Sequence, residues 1–374
     1  MDIISSKLRN HTIFFEDISL AKALVLKQEM LVCGGDAALS ESAIKGESKV
    51  QSVYITGTER VFKKVSTRLA RQGSWLAEER KVLESLICSL TPKNLFRIRN
   101  RLFMSDKTYI IGILNITPDS FSDGGSYSDA DVALVRALEM ERQGADIIDI
   151  GGESSRPGAK KVGAQEELER VIPVIEKIRR ESNLPISIDT YKHEVAKEAM
   201  KTGADIINYI KGYEISEEML GIVEEYECPF VLMHMRGNPE NMQEKTGYKD
   251  LMGEIVSEIA QVYDRLLDTL GNNGKIIIDP GIGFGKTVED NWEIIKELET
   301  LRVMGSPVLL GASRKSFIGK TFEIGDMKER DSITSFISQF AIQNGVNFLR
   351  VHDVNLHKRL LKTMTNLGVV DDRV

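Results

Sequence analysis

Cysteine is scarce in this chain: Cys33, Cys88 and Cys228 are the only three in 374 residues, far apart and odd in number. That excludes a disulfide scaffold and a thiolate metal cluster, and it suits a reducing compartment, read here as the cytoplasm. Histidine is nearly as scarce, and none of the five pairs with another at zinc-ligand spacing on one helix. No apolar run approaches the ~18 residues of a membrane span. The opening stretch MDIISSKLRNHTIFFEDIS lacks a signal-peptide core. No membrane partner is expected. Aromatics are few, at 6%, and do not interleave with the basic residues. With no nucleic-acid motif either, nucleic acid is not an expected partner.

What is present is an ordinary globular composition, 42% apolar with charge nearly balanced at −7, in a chain long enough for two or three domains. The charge is uneven. Residues 1–104 hold 17 Lys and Arg against 11 Asp and Glu, whereas the remainder holds 32 against 45. That asymmetry, with the basic stretch TPKNLFRIRNRLFMSDK, places a boundary near 100–106 and predicts domains at 1–104 and 105–374. The first reads as a small α/β unit: a helix from Asp17 to Val32 stopped by Gly34-Gly35, a strand Val53–Thr56, and a helix from Glu59 to Arg71 ended by Gly73. No chemistry stands out there, so a structural or oligomeric role is expected.

From 109 onward, strand-length apolar runs recur: YIIGILNI, DIIDIG, PISIDT, DIINYI, PFVLMHM, KIIIDPG, PVLLGAS and FLRVHDV. Helical periodicity fills the spaces between them. Eight such strands in about 260 residues predict an α/β protein with a closed (β/α)8 TIM-type barrel. An internal echo agrees: Gly144-Ala-Asp-Ile-Ile-Asp149 returns as Gly203-Ala-Asp-Ile-Ile-Asn208 and, more weakly, as Gly345-Val-Asn-Phe-Leu-Arg350. In each, a Gly ends a helix and a strand begins.

Polar residues collect at the strand ends, where such barrels build their sites: Asn115, Asp149, Asp189, Asn208, Asp279, Lys315, Arg350 and His352. Carboxylates and an amide in a barrel mouth suit a neutral heterocycle whose N–H/NH2 edge donates paired hydrogen bonds. Arg156, Arg350 and His352, with backbone N–H groups of two Gly-rich loops, suit a phosphate or diphosphate. Asn115 can offer its carbonyl oxygen to a Mg2+ that keeps most of its waters. The loops 117–129 and 151–165 have the length and composition of lids, and Phe121 is an apolar wedge in the first. The segment GIGFGKT (281–287) is no P-loop, because Pro280 stands where its first Gly is needed. It reads as a strand-to-helix turn with Asp279 and Phe284 facing the ligand.

Together these segments resemble dihydropteroate synthase. The matching stretches are GILNITPDSFSDGG, DIIDIGGESSRPGA, ISIDT, LMHMRGNPENMQ, DPGIGFGK, SRKSFIG and RVHDV, in the family's order across about 109–365. The extension LKQEMLVCGGDAALS is similar to that of longer family members. The resemblance implies a transferase of folate biosynthesis that joins p-aminobenzoate to a dihydropterin hydroxymethyl diphosphate. Carried over by motif, Asp189, Asn208, Asp279 and Lys315 hold the pterin, with Asp149 below it and Met235 and Phe284 among the substrate-binding residues. Asn115 serves Mg2+ and the diphosphate, which Ser155, Arg156, Arg350 and His352 also bind. Ser316 lies near the p-aminobenzoate carboxylate, and Phe121 and Pro157 shape the aniline pocket. A homodimer and sulfonamide sensitivity are further expectations. Two departures stand out: Tyr209 replaces the usual Asp after Asn208, and the helix DSITSFISQFAIQNG is atypical. A corrinoid-type pterin methyltransferase shares the Asp/Asn/Asp ring but lacks the TPDSFSDGG loop and SRKS segment. A non-catalytic pterin-binding homologue is the other reading.

Overall fold

A computed structural model describes residues 10–45, 50–90, 94–117, 129–154, 161–238 and 241–370. The chain forms two compact units, Met1–Thr91 with Arg302–Gly305, and Pro92–Leu301 with Ser306–Val374.

The first unit contains β1 (Asn10–Ser19), α1 (Leu20–Cys33), β2 (Asp36–Leu39), α2 (Glu41–Lys45), β3 (Val50–Thr58), α3 (Glu59–Leu69) and α4 (Ala77–Leu90). Its antiparallel sheet has the order β1-β3-β2. Leu26, Met30, Ile55, Phe62, Val65 and Leu83 form its core. The first helix begins three residues later than expected. Residues 10–19 alternate buried and exposed as a strand does, and Asp17 sits in a left-handed bulge at φ 52° rather than in a helix. Ser19 then caps α1 by accepting from the Lys22 N–H.

The second unit begins with a hairpin, β4 (Asn94–Ile98) and β5 (Arg101–Met104). The expected boundary at 104/105 is therefore corrected to 91/92. The hairpin's charge is on its exposed side, whereas Leu95, Phe96, Ile98 and Phe103 pack with Ile111, Ile147, Ile206, Val231, Ile277, Leu309 and Phe348. These partners lie near the beginnings of barrel strands, so the hairpin plugs the barrel's N-terminal end. Phe103 meets Tyr109 and Phe348 with ring centroids 4.7 and 6.0 Å away.

The barrel strands are β6 (Tyr109–Asn115), β7 (Ile147–Gly151), β8 (Ile186–Asp189), β9 (Ile206–Tyr209), β10 (Phe230–Met233), β11 (Ile276–Asp279), β12 (Leu309–Leu310) and β13 (Phe348–Val351). All eight expected apolar runs supply one. They pair in parallel in the order β11-β10-β9-β8-β7-β6-β13-β12, and one bridge, Ile278 to Val308, closes the ring. The helices are α5 (Asp129–Gln143), α6 (Ala164–Glu181), α7 (His193–Thr202), α8 (Glu217–Tyr226), α9 (Leu251–Leu270), α10 (Val288–Lys296), α11 (Ser316–Phe322), α12 (Arg330–Gln343) and α13 (Val354–Asn366). Local sequence sets several of their ends: Thr287 and Asp290 form a capping box on α10, and Asp353 caps α13. No helix among the described residues is long and apolar enough to cross a membrane.

The echo has a structural meaning. Its third residue is polar each time, and each accepts a hydrogen bond from the backbone N–H of an adjoining strand or the residue just before it. Asp146 takes Ile110 N–H at 2.8 Å, Asp205 takes Ile186 N–H at 2.9 Å, and Asn347 takes Val308 N–H at 3.0 Å. The preceding glycines have φ of 98°, 120° and 81°, which a side chain would resist.

Candidate active site

The sixth residue of each echo stands at the opposite, C-terminal end of its strand. There the three meet. Asp149 Oδ2 accepts from Asn208 Nδ2 at 3.2 Å and from Arg350 Nε at 2.6 Å. Arg350 Nη2 also donates to Asp189 Oδ2 at 2.7 Å. Burial opposes the Arg350 charge, but Asp149 and Asp189 more than offset it and hold the guanidinium protonated. Asp149 is 1% exposed, yet its Oδ1 has no hydrogen-bond partner among the described residues. A buried carboxylate oxygen without a donor is costly, and here it faces the barrel interior.

Asp279 completes the ring from β11. Its Oδ1 accepts from Gly281 N–H at 2.7 Å. Burial pushes its carboxyl up, with Lys315 and Arg350 pulling the other way. Asp189 is likewise pushed up, to about 7, chiefly by burial and against the pull of Arg350. The turn after Asp279 packs tightly on the end of β10: Gly281 has φ 69°, and a Cβ there would lie 1.9 Å from the His234 carbonyl oxygen. This turn carries Phe284, which packs with Ile210, Met233, Met235 and Met242 in an apolar cluster. Lys315 Nζ sits 4.0 Å from the centre of the Phe284 ring, a cation–π contact.

Other expected residues take their places around this centre. Asn115 ends β6, and a Cβ on Gly151 would lie 3.7 Å from both Asn115 Oδ1 and Asp189 Oδ2. His352 Nδ1 is 3.0 Å from Ser313 Oγ beyond β12. Ser316 opens α11 and is exposed. Phe121, Ser155, Arg156 and Pro157 lie outside the described residues, as do most of the first Gly-rich loop and 155–160 of the second. Tyr209 points away from the ring. It is 3% exposed, its hydroxyl donates to the Glu214 carbonyl at 3.1 Å, and its ring packs 5.4 Å from Phe230.

Several supporting residues escaped the sequence reading. Arg314, left-handed at φ 59° beside Lys315, donates to Asp331 on α12 at 2.8 and 2.6 Å. The atypical helix thus anchors the SRKS turn. Lys192 bridges Glu153, just after β7, and Glu167 on α6. Buried Lys286 and His234 and half-buried Glu258 form a hydrogen-bonded line behind Asp279. Spacing could not pair these, because their partners lie on other β/α units.

Comparison with known proteins decides among the readings. The model of the pterin binding enzyme family matches residues 111–352. A dihydropteroate synthase of Synechocystis is 46% identical over 260 residues, 68% of this chain and 89% of that protein. The chain belongs to the dihydropteroate synthase family. Solved family structures share the fold. The Xanthomonas albilineans synthase with 4-aminobenzoic acid has a TM-score of 0.67 at 37% identity, over 72% of this chain and 96% of that one. The Yersinia pestis synthase in its sulfonamide drug complex has a TM-score of 0.67 at 36% identity, over 73% and 98%.

Proposed function

We infer that this chain joins p-aminobenzoate to (7,8-dihydropterin-6-yl)methyl diphosphate, releasing pyrophosphate and forming 7,8-dihydropteroate for folate synthesis. The observation that carries the site assignment is the ring of Asp149, Asn208, Asp279 and Asp189 around a buried acceptor, Asp149 Oδ1, that lacks a donor among the described residues. A pterin's amino-amide edge supplies such donors. In this reading Asp189, Asn208, Asp279 and Lys315 hold the ring, with Asp149 beneath it and Met235 and Phe284 against it.

Diphosphate departure leaves a positive methylene carbon, delocalised into the electron-rich dihydropterin. The surrounding carboxylates favour that charge, and low dielectric strengthens their effect. Arg350, His352, Ser155 and Arg156 take the leaving diphosphate. The aniline nitrogen is unprotonated near neutrality and needs placement more than deprotonation, a task for Ser316, Phe121 and Pro157. No covalent enzyme intermediate is required. Among the described residues no cluster of three or more acidic, His or Cys side chains could hold a metal. A Mg2+ bound with the diphosphate would be held by the Asn115 side-chain oxygen and would supply positive charge toward the leaving group. Sulfonamides compete with p-aminobenzoate.

The homodimer reading is supported by α12, where Phe336 and Phe340 stand one turn apart and are 66% and 41% exposed. A cytoplasmic setting suits the three free cysteines. The N-terminal unit is assigned to assembly or stability rather than chemistry. The test is pyrophosphate release from the dihydropterin diphosphate with Mg2+, with and without p-aminobenzoate. Release that depends on p-aminobenzoate is expected. Bound pterin with no release would overturn the catalytic reading.

A further inference from the structure

Behind Asp279 lies a lysine that this chemistry does not use. Lys286 closes the turn between β11 and α10 and is 3% exposed. Its Nζ donates to the Phe284 carbonyl at 3.0 Å and lies 3.0 Å from His234 Nδ1. His234 Nε2 is 3.0 Å from Glu258 Oε2 on α9, and Arg236 Nε donates to Glu258 Oε1 at 2.9 Å. Burial and the Lys286 charge bring His234 down to about 4. Burial works against the Glu258 charge, but hydrogen bonds from His234 and Arg236 hold it down at about 2. A neutral imidazole between a carboxylate and an ammonium has one orientation: Nε2–H donates to Glu258, and Nδ1 accepts from Lys286. One hydrogen-bonded line therefore runs from the Glu258–Arg236 pair into the wall of the site.

That line ends on two of the residues assigned to pterin. Lys286 grips the carbonyl of Phe284, whose ring lies under Lys315, and it is one of the charges that hold the Asp279 carboxyl down against burial. Tyr248 steadies the same turn by donating to the Gly285 carbonyl at 3.0 Å. The charged and titratable groups facing Lys286 are Asp279 on β11, His234 and Arg236 after β10, Glu258 on α9 and Asp290 on α10. Burial brings Lys286 itself down to about 7. It thus carries its charge at acidic pH.

We propose that Lys286 is a positioning residue for the pterin: held by His234 and Glu258, its ammonium fixes the 280–286 turn and supplies positive charge behind Asp279. This rests on the assignment of Asp279 to pterin. The test measures dihydropterin diphosphate affinity against pH in the whole chain for Lys286→Met, Lys286→Gln and Asp279→Asn, with KM for p-aminobenzoate alongside. Lys286→Met is expected to weaken pterin binding about tenfold near pH 6, where Lys286 is charged, the scale of one charge-assisted hydrogen bond. It should leave the p-aminobenzoate KM unchanged and move the acidic limb of pterin binding to higher pH. Lys286→Gln, which keeps a donor for the Phe284 carbonyl but loses the charge, moves the limb the same way. A Lys286→Met protein with wild-type pterin affinity and an unmoved limb overturns the proposal. So does an equal loss for both substrates with the limb unmoved, which is the signature of a filler residue. Should Lys286→Met fail to fold, the limb in Lys286→Gln decides: moved upward it supports the proposal, unmoved it overturns it. Unchanged pterin affinity in Asp279→Asn would instead remove the underlying assignment.

Discussion

The two ends of the barrel use one sequence pattern for opposite purposes. At the N-terminal end, Asp146, Asp205 and Asn347 satisfy backbone N–H groups, and an aromatic hairpin seals the opening. Three residues further along each strand, about 10 Å away at strand rise, Asp149, Asn208 and Arg350 face one another around an acceptor that has no donor among the described residues. The first set is saturated and the second is not. Stability is concentrated where every polar group has its partner, and binding where a partner is missing.

Breaking the saturated end should cost the most stability. Asp205→Ala removes the acceptor for Arg179 and for Ile186 N–H, with a loss of about 3–5 kcal/mol. Denaturant unfolding should show it, while turnover per folded molecule is preserved. Asn208→Ala, on the same strand, should do the reverse. Pterin affinity should fall by roughly one to two powers of ten in titration calorimetry, with little change in the unfolding midpoint. Comparable stability losses in both variants would end the division between the two ends.

The pH dependence sharpens the same contrast. Asp189 has a folded value of about 7, above the roughly 3.9 of an unfolded aspartate, so the native state holds a proton that the unfolded chain releases. Its contribution to stability is full below about pH 4 and is lost as pH rises to about 7. The melting-temperature difference, wild type minus Asp189→Asn, should fall across that window and flatten above it. A constant difference would place Asp189 in a more solvated setting. The smallest effect belongs to Tyr209→Phe. It should cost about 1 kcal/mol or less, the value of one hydrogen bond, and leave pterin affinity untouched. A pterin defect there would mean that the outer side of β9 does feed into the ring.

Much of this was legible in the sequence, for identifiable reasons. Strands buried on both faces read as continuous apolar runs, so all eight appeared. The ring appeared because carboxylates at the ends of such runs have no reason to be there unless something meets them. The 94–104 hairpin was misassigned because its arginines dominate the composition, while its four apolar residues are spaced for a sheet face visible only once β4 and β5 pair. The bulge at Asp17 was missed because alternation in 10–16 and helical spacing beyond it overlap. Lys286 was set aside with the P-loop decoy, since only the fold brings His234 and Glu258 to it. Arg350 was expected on diphosphate alone, and the structure adds its grip on Asp149 and Asp189.

The single bridge between Ile278 and Val308 is the thinnest join in the strand ring. Asp279 directly follows Ile278, and across the join a Cβ on Gly311 would lie 3.7 Å from Asp279 Oδ2. A pterin held by Asp279 on one side and by Lys315, just past β12, on the other would span that seam. The ligand would then act as a clasp, tying together two staves that one backbone bridge joins.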